Sequence, residues 1–253
     1  MENQNTIDQK SDKKSTLRVV VHSFFVVPFI IAIFGLMIFL VVRIMTSEPN
    51  TAQDYLEDVK IGGSTKRWQG AFELSKILSN PKLVPKDDRF VSEMISIFEY
   101  ASNDRDIRVR QYLAMAMGAT KDPRYGSTLI QALENTEPAM AMTAAYALGN
   151  IGHDPAVRPL IELLEHDVPN VRLQAVISLG KINNPESIPS LKQMMEDPEA
   201  NVRWDAAIAL AKQKDNSGQR ILLDLMDRKY LDSFPNIDEI EQVQAMMVAI
   251  KVS

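Results

Sequence analysis

Hydrophobic positions fall into two regimes along this chain. Residues 19–42 form a continuous run of 24 positions without a charged side chain. Beyond residue 64 the apolar positions are spaced by three and four, and the pattern returns every 31 residues. Leu129, Leu160, Leu191 and Leu222 stand 31 apart. So do Met117, Leu148, Leu179 and Leu210, each followed by Gly118, Gly149, Gly180 or Ala211. A fixed period of that size predicts one supersecondary unit copied and stacked, because such a unit cannot bury its apolar face alone.

Within each period two helices are predicted. The first covers residues 109–118, 140–149, 171–180 and 202–211, with an earlier copy at 66–75 that lies 43 residues upstream and so carries a longer loop near 81–88. The second centres on Leu129, Leu160, Leu191 and Leu222, and on 94–98 in the earliest copy. Asp122-Pro123, Asp154-Pro155 and Asn184-Pro185 each offer a cap followed by proline at the first helical position. Asp197-Pro198 and Asp167-Val168-Pro169 are expected to do the same between units. Few segments alternate with period two, so no sheet is expected. Residues 237–252, with Ile240, Val243, Met247 and Ile250, read as a final helix that covers the last unit.

The motif Val171-Arg172-x-x-Ala175-x-x-x-Leu179-Gly180, then Asn184-Pro185, then Ile188-Pro189-x-Leu191-x-x-Met194-Met195 resembles the HEAT repeat of the phycobilisome-lyase-like type. The resemblance covers about residues 64–230. It implies an all-α fold, an α-solenoid of about five helix pairs plus a C-terminal capping helix over residues 64–253. It is nearly silent about function, since this class serves scaffolds, adaptors and a few enzymes. The enzymatic alternative is a lyase-like or metal-dependent hydroxylase-like protein, or an accessory of one. Deoxyhypusine hydroxylases, which the repeat type resembles, hold two irons with several His-Glu dipeptides, and this chain has no such dipeptide. His153 and His166 are separated by about 20 Å of helix, too far to share one ion. There is no cysteine. Ser64 and Ser127 follow glycines but lack the strand–turn–helix setting of a nucleophile elbow, and Ser64 reads as a helix cap. No phosphate loop or dinucleotide fingerprint occurs. No catalytic, cofactor-binding or metal-binding residue is therefore nominated, and neither a cofactor nor a small-molecule substrate is expected.

The first regime changes the setting. Residues 1–18 are polar and read as a disordered tail. Residues 19–42 would make about 36 Å of helix, enough for a hydrocarbon core of about 30 Å, and the run is too long for a cleaved signal peptide. A transmembrane helix that engages the lipid bilayer is expected there, followed by a linker at 43–63 containing a short helix near 51–60. Lys10, Lys13, Lys14 and Arg18 before the run, against Arg43 and Lys60 after it, place the tail inside. In a bacterium that is a single-pass inner-membrane protein with a periplasmic repeat domain, the cytoplasmic side being the alternative. The 28 basic and 33 acidic residues give a net charge of -5, which argues against nucleic acid.

Two rows on the first helices carry candidate chemistry. Arg67, Arg110, Arg172 and Arg203 recur eight residues before the small residue, with Ala141 breaking the row. They read either as an anion-binding row or, preferably, as a structural ladder onto Asp104, Asp167 or Asp197 and nearby carbonyls. Positions three and seven of each ten-residue motif point away from the core arc and stack on one face. They are Trp68 and Phe72, Gln111 and Met115, Met142 and Tyr146, Leu173 and Ile177, Trp204 and Ile208; nine of these ten are apolar, where a solvated helix would be charged. This ridge, on what should be the outer helices, is the expected partner-binding surface. The competing readings are that the chain covers it, for instance with 44–60, or that it lies on the bilayer. The second helices are expected to line the inner face with mixed polar residues. The function that follows is a non-enzymatic, membrane-anchored scaffold or adaptor for a protein partner, such as a membrane or envelope complex.

Overall fold

The computed structural model describes residues 22–46, 50–104 and 106–252. The polar tail and the first residues of the apolar run lie outside the described residues. Regular structure among the described residues is helical, without a strand. The chain divides into two compact units, Met1–Asn50 and Thr51–Ser253. The first contains α1 (Val27–Thr46). Its stretch Phe24–Arg43, with mean hydropathy 3.1, is by length and composition able to cross a membrane.

The second unit opens with α2 (Ala52–Ile61), held at its start by a reciprocal cap between Thr51 and Asp54. The segment 43–63 was expected to be a linker, but from Thr51 onward it is part of the folded unit. Ala52, Leu56 and Val59, spaced by four and three, are buried on the helix that follows. Five pairs come next: α3 (Ser64–Ile77) with α4 (Asp88–Tyr100), α5 (Ile107–Thr120) with α6 (Gly126–Leu133), α7 (Pro138–Ile151) with α8 (Val157–Glu162), α9 (Pro169–Ile182) with α10 (Ile188–Met194), and α11 (Ala200–Lys212) with α12 (Gln219–Leu225). The short α13 (Arg228–Leu231) and the closing α14 (Glu239–Val252) complete the α-solenoid.

Turn chemistry follows the sequence at some joints and departs at others. Asp122 and Asn184 accept from the N–H groups of Arg124 and Glu186, each with proline next in sequence. Asp154 does not cap; His153 occupies that position without a side-chain bond. Before α9 the cap position is Val168, and the imidazole Nδ1 of His166 accepts from its N–H at 3.0 Å. Gly63, not Ser64, stands at the cap of α3.

The long helices α3, α5, α7, α9 and α11 pack on one another in sequence, whereas the short helices touch one another only sparsely. The residues at the seams explain this. A Cβ added at Gly118 would lie 2.6 Å from Cα of Ala147, at Gly149 2.9 Å from Cα of Ser178, and at Gly180 2.8 Å from Cβ of Ala209. The small residues on both sides of each seam let the long helices approach this closely. Behind the seams one continuous apolar core runs from Ala52 to Leu210, and a second cluster gathers around α11 and α14.

α14 closes the stack, but with a face the sequence did not indicate. Gln242 and Ala249 are buried, while Ile240 and Met247 are 68% and 65% exposed and Val243 and Ile250 also face solvent. Gln242 is accommodated because its amide donates to the carbonyls of Phe234 and Ile237 at 2.9 and 3.1 Å. Nearby, the half-buried Asp205 of α11 has no side-chain ion pair among the described residues. Burial pushes its carboxyl up to about 6, Glu241 of α14 adds to the rise, and Lys212 opposes it.

Two expectations follow. Gly118→Ala forces a backbone apart and should cost about 1–3 kcal/mol. Gly63→Ala, with nothing within 4 Å of the added carbon, should stay within about 0.5 kcal/mol; urea denaturation followed by circular dichroism measures both. Asp205 carries a raised folded-state pKa, so its contribution is fully present below its ordinary value near 3.8 and is lost as pH rises through about 6. Asp205→Asn should therefore be neutral at pH 4 and stabilising at pH 7, by about 1–3 kcal/mol. Equal effects at the two pH values would mean that the carboxyl is ordinary.

Candidate protein-binding face

Seven of the nine residues nominated from the sequence are exposed or half-buried on α3, α5, α7 and α9. Trp68 is half-buried against the core, with the Arg108 guanidinium 4.5 Å from its ring centre. Phe72 meets Tyr112 edge to face at 5.2 Å, and Lys76 Nζ stands 5.1 Å from the Phe72 ring. Met115 and Tyr146 are 37% and 39% exposed. Met142, Leu173 and Ile177 are half-buried.

Trp204 and Ile208 hold the same motif positions on α11 but are covered. They are 1% and 3% exposed, sealed in the cluster beneath α13 and α14. The indole of Trp204 packs edge to face on Phe234 at 5.2 Å, and its N–H donates to the Tyr230 hydroxyl at 3.3 Å. The expectation that the ridge runs the full length of the stack is corrected accordingly. The chain covers the end of it at α11 with its C-terminal segment.

Where the face stays open it forms a groove of about 360 Å³ that crosses three helices. Phe72 of α3, Met115 of α5 and Tyr146 of α7 line it, with Tyr112, Lys76 and Asn150 beside them. Aromatic rings and a thioether give large contact area and an adaptable surface. The rim is cationic. Lys76 pairs with Glu73 at 2.9 Å. Lys181 donates to Asn150 Oδ1 at 2.9 Å and lies 4.7 Å from the Tyr146 ring centre. Burial lowers the pKa of Lys181, and among the described residues no carboxylate pairs with it. Tyr112 and Lys181, at positions four and eleven, escaped the sequence reading; lysine at position eleven recurs as Lys76, Lys181 and Lys212, which was the available signal, whereas no other unit has an aromatic residue at position four. The exposed strip on α14 also escaped it, because the same residues were assigned to the core.

The arginine row is mostly structural. Arg67 donates to Asp104 at 2.7 Å. Arg172 grips Asp197 with two bonds of 2.8 and 3.0 Å and donates to the His166 carbonyl at 2.9 Å. Arg203 donates to the carbonyls of Asp197 and Pro198 at 2.7 and 2.9 Å. Burial would raise the Asp197 carboxyl, but Arg172 and the Glu199 N–H outweigh that and hold it below its usual range. Asp167 contributes only its carbonyl. Arg110 has none of these partners.

No group of three or more His, Cys, Asp or Glu suited to a metal ion occurs among the described residues. His153 packs against Gly126, where its imidazole fills the space of a side chain, and burial lowers its pKa.

The comparisons accord with this architecture. The family model for HEAT repeats matches residues 96–170 and 157–232. Among solved structures, the complex of CpcE and CpcF of phycocyanin lyase from Nostoc sp. PCC7120 is similar, with a TM-score of 0.60, 16% identity, and coverage of 82% of this chain and 97% of that one. An engineered protein from a structural genomics consortium is similar with a TM-score of 0.51, 21% identity, and coverage of 81% and 98%. At these identities the likeness is one of fold. No curated protein sequence matches the chain. The paired helices, their glycine seams and the matched family model together place this chain in the HEAT-repeat family.

Proposed function

We propose that this protein is a non-enzymatic scaffold, tethered to a membrane through the apolar helix, that docks a protein partner in the groove of α3, α5 and α7. The observation that supports this reading is the groove itself. Phe72, Met115 and Tyr146 come from three successive helices and converge on one open depression. Contiguous exposed apolar surface of this kind marks interaction sites, and its aromatic content suits anchor residues. Half-buried Ile177 and Leu173 extend the same face along α9. The partner presents apolar side chains to the rings and an acidic group to Lys181. Confining the scaffold to a membrane raises its effective concentration toward partners in the same bilayer, which favours a membrane or envelope complex. The asymmetry of flanking charge supports a periplasmic repeat domain.

A photocrosslinking residue placed singly at Phe72, Met115, Tyr146, Gln131 or Met247 in the full chain tests the site in intact membranes. Crosslinks to one discrete protein from Met115 and Tyr146, and not from Gln131, are expected. Crosslinks from Met247 alone would move the docking surface to α14 and sink this reading. Met115→Glu with Tyr146→Glu should abolish the crosslinked species detected from Phe72. Both positions are partly exposed, so each change should cost no more than about 0.5 kcal/mol of stability.

A further inference from the structure

Arg110 stands apart from the other arginines of its row because neither an ion pair nor a hydrogen bond to its side chain is found among the described residues. Its buried Nε has no acceptor; the Nε of Arg67 is likewise unpartnered, but that guanidinium is held by Asp104. Its guanidinium lies 4.8 Å from the ring centre of Phe98. Burial alone acts on its pKa, lowering it, with no carboxylate to offset the loss of water.

The cause lies 25 residues on. Arg172 is met by Asp197, 25 positions later. Asp197 has two tasks there: Oδ1 accepts the Glu199 N–H at 2.9 Å, and both oxygens accept from Arg172. Asn135 occupies the same place relative to Arg110. Its Oδ1 accepts the Glu137 N–H at 2.9 Å, the same turn bond. The other terminal atom is then an amide nitrogen, which can only donate. Where Asp197 turns an acceptor to Arg172, Asn135 has a donor to offer Arg110. Two sets of donors are satisfied only by an acceptor that belongs to neither. In the intervening unit the arginine is replaced by Ala141 and the acid by His166, so cation and anion are lost together. At Arg203 the corresponding residue is Arg228, and the guanidinium turns instead to the carbonyls of Asp197 and Pro198; at Arg110, among the described residues, neither an acid nor a carbonyl meets it.

Arg110 and Asn135 line one pocket of about 350 Å³, together with Ser102, Asp104 and Glu137. Asp104 is already bound to Arg67. We propose that this pocket binds the carboxylate of a ligand, seated between the Arg110 guanidinium and the Asn135 amide in the place Asp197 takes beside Arg172. The guanidinium fork matches two carboxylate oxygens. The acidic Asp104 and Glu137 in the pocket disfavour a dianion, which selects a monocarboxylate over phosphate. The carboxylate is carried either by a free acid or by an Asp or Glu side chain of a docked polypeptide. The inference is independent of the groove reading, because it rests on different residues.

The test is thermal unfolding of the full chain in detergent, with sodium acetate compared against sodium chloride at equal ionic strength. Acetate should raise the midpoint of the wild type and leave Arg110→Gln unmoved. Asn135→Asp supplies the missing carboxylate from within. It should raise the midpoint by roughly 2–4 °C in chloride and abolish the response to acetate. Acetate that acts no better than chloride on the wild type overturns the proposal, since water then fills the pocket. A lowered midpoint for Asn135→Asp in chloride overturns it too, because the Asn135 amide would then already be satisfied. Phosphate matching acetate would overturn the choice of a monocarboxylate. A short blocked peptide with one Asp, against its Asn twin, separates the sources: action at a concentration roughly tenfold below acetate assigns the ligand to a polypeptide, and action at the same concentration assigns it to a free acid.

Discussion

The close approach of successive helix backbones at Gly118, Gly149 and Gly180 is the constraint on which the stack depends. At each seam the glycine of one long helix meets a small residue of the next: Ala147, Ser178 or Ala209. Any side chain in place of the glycine meets backbone rather than the flexible end of a side chain, so the helices would have to separate. The seam also fixes rotation. With position ten held against the neighbour, positions five and nine turn to the core and positions three and seven turn outward. A hydroxyl is admitted at Ser178 because its Oγ donates to the Ala145 carbonyl at 2.8 Å, which leaves no polar group unpaired in the seam.

The candidate face is therefore a consequence of the seam, and its length is set by what closes the ends. α2 covers the first long helix: a carbon added at Gly70 would touch Asp58, Tyr55 and Val59. α14, with Tyr230 and Phe234, covers the last. Between them the rings of Phe72 and Tyr146 and the thioether of Met115 serve no core. Their partial exposure costs the free chain hydration free energy that nothing within it recovers. A scaffold reading accounts for that cost through a partner, where a core reading leaves it without a return.

Much of this was legible in the sequence because it follows from rules that act locally. The 31-residue return, the helix pairs, the small residue at position ten and the existence of a closing helix all rest on spacing and turn chemistry within one unit. What escaped depends on which surface meets which. Trp204 and Phe72 hold related positions in their motifs, yet one is sealed and the other faces a groove, and only the distant α14 makes the difference. The apolar set Ile240, Val243, Met247 and Ile250 has the spacing of a core stripe. The packing chose the other side of the helix because Gln242 finds two carbonyls there. The caps at Asp154 and Asp167 failed for a similar reason: the carboxylate was present at the right spacing, but His153 and Val168 occupied the capping geometry.

The polar groups carry the argument further than the apolar ones. A half-buried cation is tolerated when it is paired, and costs several kcal/mol when it is not. This chain meets that demand at Arg67 and Arg172 with carboxylates and at Arg203 with carbonyls, and removes it at residue 141 by dropping the arginine. Economy of that kind makes the two exceptions informative. Lys181 keeps its charge against Tyr146 with only an amide oxygen for company, and Arg110 keeps its charge against Phe98 with no acceptor at all. Both lie beside open depressions, and both sit in a protein whose net charge is -5. Carboxylates stand close to Arg110, since Asp104 and Glu137 line its pocket, but Asp104 is taken by Arg67 and Glu137 pairs with no guanidinium among the described residues. Each of the two cations is therefore left beside an open depression without a paired anion, which is the setting an acidic group would complete.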